Sequence, residues 1–364
     1  MKPKKQIMTL PAYQPGKSLE EVKNDYGLQD VIKLASNENP FGFSPKVKEA
    51  LMNGLNELHI YPDGANRELR AVLAKKLAVD EDQLIFGMGS DEIITMISQV
   101  FLEKGSQTIM ATPTFSQYRS NAITEGAMIV EVPLKNGTHD LEAMRQAITD
   151  ETRVIWVCNP NNPTGTILSE NEIVQFLDRV SEEVLVVLDE AYYEYVTDES
   201  YPNAVKLVDR YPNLIILRTF SKAYGLAALR IGYGIAKPKV IDWLDRIREP
   251  FNNTSLSQIA AVAAVSDQAF IEECKAKNRE GLRQLYQGFD ELGLSYYLSQ
   301  GNFIFVDVNR PAGPVFQKLL ERGIIVRSGV ALGLPTGLRI TVGNQQQNEQ
   351  VLKELARILQ EVTV

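Results

Sequence analysis

Short runs of consecutive apolar residues alternate along most of the chain with stretches whose apolar positions recur every three or four residues. The runs at 84–86, 108–111, 128–132, 154–158, 184–188, 214–217 and 231–236 read as strands buried on both faces. Between them, 66–77, 91–102, 115–125 and 141–148 read as amphipathic helices. Two more helices carry start signals. Ser44 before Pro45 offers a cap oxygen and a proline at the first helical position, opening a helix over 45–58. Ser169 with Glu172 makes a capping box for a helix running to about 181. This alternation predicts an α/β fold built on a mainly parallel sheet with helices on both faces, whose chemistry gathers at the carboxyl ends of the strands.

Beyond residue 236 the pattern changes. Helices at 240–248, from 257 and over 269–292 lead to strands at 303–308, 324–327 and 338–342, interleaved with helices at 315–322 and 346–360. A second, smaller α/β domain is expected there. The change is placed near Pro250, giving a large domain over 34–250 and a small one over 251–364. Residues 1–33 are polar and broken by Pro3, Pro11, Pro15 and Gly16, and read as an arm lying over another surface.

Length and composition narrow the function. The chain has 364 residues, more than the usual single domain, with 44% hydrophobic and 23% charged residues, an ordinary globular balance. A net charge of -8 argues against nucleic acid or an anionic membrane as partner, so an anionic substrate has to be met by local arginines. No apolar run reaches membrane-spanning length, and the basic residues 1–5 are not followed by the apolar core of a signal peptide, which points to the cytoplasm. Cys158 and Cys274 suggest two reduced thiols rather than a disulfide or a metal site. His59 and His139 have neither metal-ligand spacing nor a neighbouring nucleophile, and read as structural.

The candidate chemistry lies just past the strands. Lys222 lies in 219–230 beside Ser221 and eight positions before Arg230, so it is a candidate reactive amine with an anion-holding neighbourhood. Asp189 ends an apolar run, where a carboxylate needs a cation or donor, or else caps the segment 190–193. The turn-rich loop 159–165 can hold an amide in a fixed direction. Gly87-Met88-Gly89-Ser90-Asp91-Glu92 comes after a strand and opens a helix, so its amides suit a phosphate. Glu92 occupies the third glycine position of a dinucleotide fingerprint, which disfavours a nucleotide-dependent oxidoreductase. An amine for an aldehyde, an acid for a ring nitrogen and a phosphate cradle are together what pyridoxal phosphate requires.

Over nearly its whole length the chain resembles the fold-type I pyridoxal-phosphate aminotransferases, whose fold is aspartate aminotransferase-like, and within them the branch that acts on histidinol phosphate. The resemblance is carried by Ser36-Asn37-Glu38-Asn39-Pro40, Tyr61-Pro62-Asp63, Gly89-Ser90-Asp91-Glu92, Asn162-Pro163-Thr164-Gly165, Asp189-Glu190-Ala191-Tyr192, Ser221-Lys222 with Arg230, and Leu338-Arg339-Ile340-Thr341. It implies that Lys222 binds the cofactor aldehyde and then carries the substrate proton, and that Asp189 pairs with the ring nitrogen. Asn162 and Tyr192 would hold the phenolate oxygen, and Phe115 would stack on the ring. Gly89, Ser90, Thr219, Ser221 and Arg230 would take the phosphate, with Tyr61 reaching in from a second copy, so a homodimer with shared sites is implied. Arg339, with Arg327, Tyr13 and Asn37, would meet the substrate, an amino donor or a 2-oxo acid. An aromatic or broad-specificity aminotransferase and a phosphothreonine-type decarboxylase remain open, and so does a cofactor-binding regulator, although no basic DNA-binding segment is appended.

Overall fold

The computed structural model describes residues 1–10, 12 and 16–361. A short first strand, β1 (Ile32–Lys33), precedes a seven-stranded sheet made of β2 (Leu84–Gly87), β3 (Gln107–Thr112), β4 (Met128–Pro133), β5 (Thr152–Cys158), β6 (Leu185–Asp189), β7 (Leu214–Thr219) and β8 (Gly232–Ala236). Its order is β2-β8-β7-β6-β5-β3-β4, and β8 runs antiparallel to both of its neighbours while the other pairs are parallel. Its strands other than the edge strand β4 are buried on both faces, as their apolar runs require. On β5, Val154, Trp156 and Cys158 join one core cluster while Ile155 and Val157 join the other.

Four further strands, β9 (Ser295–Tyr296), β10 (Phe303–Asp307), β12 (Arg327–Ser328) and β13 (Gly337–Thr341), form an antiparallel sheet in the order β12-β13-β10-β9, and β11 (Ile324–Ile325) pairs in parallel with β1. The run expected as one strand over 324–327 is therefore divided between two sheets, with Val326 at the break. The four-stranded sheet has its own core, in which Ile304, Val306, Leu338 and Ile340 meet Leu282, Leu285, Phe289 and Leu355.

Two segments behave differently from the pattern reading. Leu19–Tyr26 is a helix with a Ser18–Glu21 capping box, and its Val22 is buried with Leu320 and Ile325, so part of the stretch read as an arm packs on the small sheet's side. The helix Ser255–Val265 packs on the helices Pro45–Gly54 and Arg67–Leu77, and its Ala260, Ala261 and Ala264 share a core cluster with the large sheet. The passage between cores happens along Gln268–Glu291, where Ile271 belongs to the large cluster and Leu282 to the small one.

Candidate active site

The carboxyl ends of β2, β5, β6 and β7 open on one place, and the segment 34–39 crosses it. The Lys222 ammonium donates to the Ser36 carbonyl at 3.1 Å and lies 5.8 Å from the centre of the Tyr192 ring. Burial pushes this amine down to about 8, the Arg339 guanidinium adds to the shift, and Arg230 contributes less, while Asp91 and Glu38 oppose it. The main neighbouring cation is thus Arg339, ahead of Arg230. A neutral amine at moderate pH is what attack on an aldehyde needs.

Tyr192 is buried, and its hydroxyl accepts from Asn37 Nδ2 at 3.0 Å and Asn162 Nδ2 at 3.3 Å. Burial raises its pKa above the ordinary tyrosine range, with Arg339 pulling the other way, so it stays a neutral hydroxyl. Arg339 is 8% exposed, donating to Asn162 Oδ1 at 2.7 Å and to the Ala35 carbonyl at 2.6 Å, while its Nε is buried without a partner. An orphaned guanidinium donor in a buried cluster is a natural seat for an oxyanion. In the β12–β13 register Arg327 stands directly opposite Arg339. Asn37, at φ +55°, joins Tyr192 to the small sheet: besides its side-chain bond to that hydroxyl, its amide donates to Thr341 Oγ1 at 3.0 Å and its carbonyl accepts from Asn302 Nδ2 at 2.9 Å.

Asp189, the last residue of β6, is 3% exposed and held by two donors, the Tyr118 hydroxyl at 2.6 Å and the Ala191 amide at 3.1 Å. Burial pushes its carboxyl up to about 6, and both donors pull it back. Phe115 caps the helix Ser116–Glu125, edge-on to Tyr118 with centroids 5.6 Å apart.

The anion cradle is built by close approach. Gly89 takes φ +76°, and a Cβ there would stand 2.7 Å from the Arg230 guanidinium. A Cβ on Gly232 would meet the Ser90 amide nitrogen at 2.6 Å, so glycine lets β8 press against the start of the helix Ser90–Phe101. Arg230, itself at φ +51°, donates to Ser221 Oγ at 3.2 Å, and Thr219 Oγ1 accepts from the Ser221 amide at 3.1 Å. Glu92 accepts from the Met88 amide at 2.6 Å and from Asn252 at 2.8 Å, closing the loop ahead of the helix.

Tyr61 stands apart, 78% exposed and stacked on Phe251 at 4.7 Å. Tyr13 lies outside the described residues. Pattern reading missed Tyr118, the Ser36 carbonyl and Thr341, although Tyr118 comes three residues after Phe115, at helical spacing. His139 is buried, pushed down to about 4 by that burial, and sits 3.2 Å from Asn161 Oδ1 behind the loop 159–165.

A helix N-terminus beside an arginine, a lowered amine, a buried carboxyl and an unpartnered guanidinium donor fit pyridoxal phosphate and an anionic substrate. Fold and site thus describe a pyridoxal-phosphate transferase, and the model of the aminotransferases of class I and II matches residues 29–355, so the chain belongs to that family. Among its relatives is a histidinol-phosphate aminotransferase of Geobacillus sp. (strain WCH70), 59% identical over 361 residues that cover 99% of each chain. Another, from Bacillus subtilis (strain 168), is 55% identical over 360 residues, covering 99% of this chain and 100% of that one. The crystal structure of the Sinorhizobium meliloti histidinol-phosphate aminotransferase in complex with pyridoxal-5'-phosphate superposes with a TM-score of 0.91 at 28% identity, over 98% of this chain and 97% of that one. The cofactor is pyridoxal phosphate.

Proposed function

We propose that the protein transfers the amino group of L-histidinol phosphate to 2-oxoglutarate, giving imidazole acetol phosphate and glutamate, in histidine biosynthesis. The reading is supported above all by Arg339, a buried cation with a free Nε among Tyr192, Asn162 and Lys222, in a chain 59% identical throughout its length to a histidinol-phosphate aminotransferase. When bound, pyridoxal phosphate supplies an aldehyde and an electron-withdrawing ring. Lys222, as a neutral amine, would hold the aldehyde, and its nitrogen would move the proton to and from the substrate carbon that bears nitrogen. Asp189 holds a proton at the ring nitrogen. Asn162 and Tyr192 would hold the phenolate oxygen, Phe115 would lie against the ring, and Gly89, Ser90, Thr219, Ser221 and Arg230 would bind the phosphate.

Arg339 and Arg327, with Asn37 and Tyr13, receive the substrate phosphate in one half-reaction and a glutamate carboxylate in the other. Side-by-side kinetics with histidinol phosphate, phenylalanine and threonine phosphate test the choice of donor. Turnover is expected to favour histidinol phosphate, and Arg327→Ala is expected to raise KM for it and for glutamate about tenfold, the worth of one charge-assisted contact. A change no larger than that from a remote surface arginine would sink the assignment.

The working form in this reading is a cytoplasmic homodimer. Met52, Leu55, Leu58, Ile60 and Tyr61 are all more than half exposed along one short segment, an apolar strip that suits a second copy. Tyr61 would then reach the other copy's phosphate site. Mixing a Lys222→Ala protein with a Tyr61→Ala protein and allowing exchange is expected to raise activity above the sum of the two kept apart, since one hybrid site regains both residues. No gain after verified exchange would refute shared sites. Among the described residues no helix is long and apolar enough to cross a membrane.

A further inference from the structure

Asp189 is gripped from a side that neither cofactor nor substrate is proposed to touch. Tyr118, third residue of the helix Ser116–Glu125, is fully buried, and its hydroxyl donates to Asp189 Oδ2 at 2.6 Å. Its ring is stacked on Trp156, centroids 4.8 Å apart and planes 11° from parallel, and meets the edge of Phe115. Trp156 is fixed in turn by its indole N–H, which donates to Thr108 Oγ1 at 2.9 Å. A ring clamped in this way can present its hydroxyl in one place only. We propose that Tyr118 is a positioning residue that aims the Asp189 carboxylate and keeps the shared proton on the ring nitrogen of pyridoxal phosphate rather than on the carboxylate. The inference rests on the assignment of Asp189 to that nitrogen.

Proton affinity in a dry site decides where the shared proton rests. Burial raises the affinity of Asp189 for a proton, and two like charges raise it further, Asp91 from the helix Ser90–Phe101 and Glu190, next in the chain. The Cys158 thiol facing it from β5 is pushed up to about 12 by burial and stays neutral. The hydrogen bonds that lower the affinity come from two neutral donors, the Tyr118 hydroxyl and the Ala191 amide, one on each carboxylate oxygen. Hydrogen bonds to the anion are lost when the anion takes a proton, so each donor makes Asp189 a weaker competitor for the proton that the ring nitrogen needs. Tyrosine suits the task because its own proton is held firmly: burial, then the neighbouring Asp189 charge, raise the Tyr118 pKa well above its ordinary range.

The test reads the proton directly. Wild type, Tyr118→Phe and Asp189→Asn are loaded with pyridoxal phosphate carrying nitrogen-15 in the ring, and the nitrogen chemical shift is tracked between pH 6 and 9, with circular dichroism checking that each variant is folded. Wild type is expected to show a protonated ring nitrogen throughout. Asp189→Asn is expected to show a neutral pyridine, and Tyr118→Phe is expected to move the signal towards neutral pyridine, with turnover reduced about tenfold, as loss of one charge-assisted hydrogen bond implies. A protonated signal in Tyr118→Phe beside a neutral one in Asp189→Asn overturns the role of Tyr118 alone. A protonated signal in Asp189→Asn overturns the Asp189 assignment and this inference with it.

Discussion

Replacing Lys222 with alanine is expected to lower turnover by about 10⁴-fold or more. The same nitrogen is read as covalent anchor and proton carrier, and acid–base work alone is worth up to about 10⁴. The geometry explains why no neighbour substitutes. The described residues around it offer a carbonyl (Ser36), a neutral hydroxyl (Tyr192), guanidinium groups (Arg339, Arg230) and carboxylates (Asp91, Glu38), none of which can replace an amine in condensing with an aldehyde. The fold should survive, because Lys222 contributes one hydrogen bond to a backbone carbonyl. Borohydride treatment separates the two roles: it fixes the cofactor to the wild-type chain and should leave the variant unlabelled. Covalent labelling that persists in Lys222→Ala would assign the anchor to another residue.

The second large effect is on stability and lies just past the active carboxylate. Glu190 and Arg218 are 0% and 4% exposed, with Oε2 of the glutamate 2.8 Å from a guanidinium nitrogen. The arginine also lies 3.6 Å from the centre of the Tyr193 ring, and Tyr201 donates to Glu190 at 3.1 Å. Glu190→Gln keeps the volume and leaves a guanidinium buried without its partner, a change that typically costs about 3–5 kcal/mol. Glu194 tempers the loss, since this nearby carboxyl, raised to about 7 by burial, is also drawn by Arg218 and can ionise further. The expected destabilisation therefore sits near the lower end, about 3 kcal/mol, read as a lower urea midpoint with both proteins free of cofactor. Adding Arg218→Met should recover part of it, because a pair removed together leaves no stranded charge. An unchanged midpoint for Glu190→Gln would show that the pair is not what holds this layer.

The large sheet was legible because its inner strands are buried on both sides, which turns stretches such as 214–217 into uninterrupted apolar runs. The small sheet was harder: β11 and β12 occupy adjoining residues and differ only in the partner each meets, β1 or β13, which no local pattern records. The helix Leu19–Tyr26 had a readable signal in Ser18 and Glu21, hidden by the prolines and glycine before it. The helix Ser255–Val265 is alanine-rich, so its small side chains fit against two other helices, and its sequence does not say which core it joins. At the site, side-chain contacts such as Asn162 with Tyr192 were legible through resemblance, whereas the Ser36 carbonyl beside Lys222 is a backbone contact between residues 186 apart.

The paired arginines of β12 and β13 belong to a different sheet from the groups proposed to serve the cofactor, and Arg339 meets them through Asn162. In the proposed reading, the groups that meet the substrate and those that serve the cofactor thus come from different sheets and touch at Arg339. Arg327, on the edge strand β12, can be exchanged without touching Lys222, Asp189 or the phosphate cradle, whereas any change at Arg339 also removes the cation that helps keep the Lys222 amine neutral.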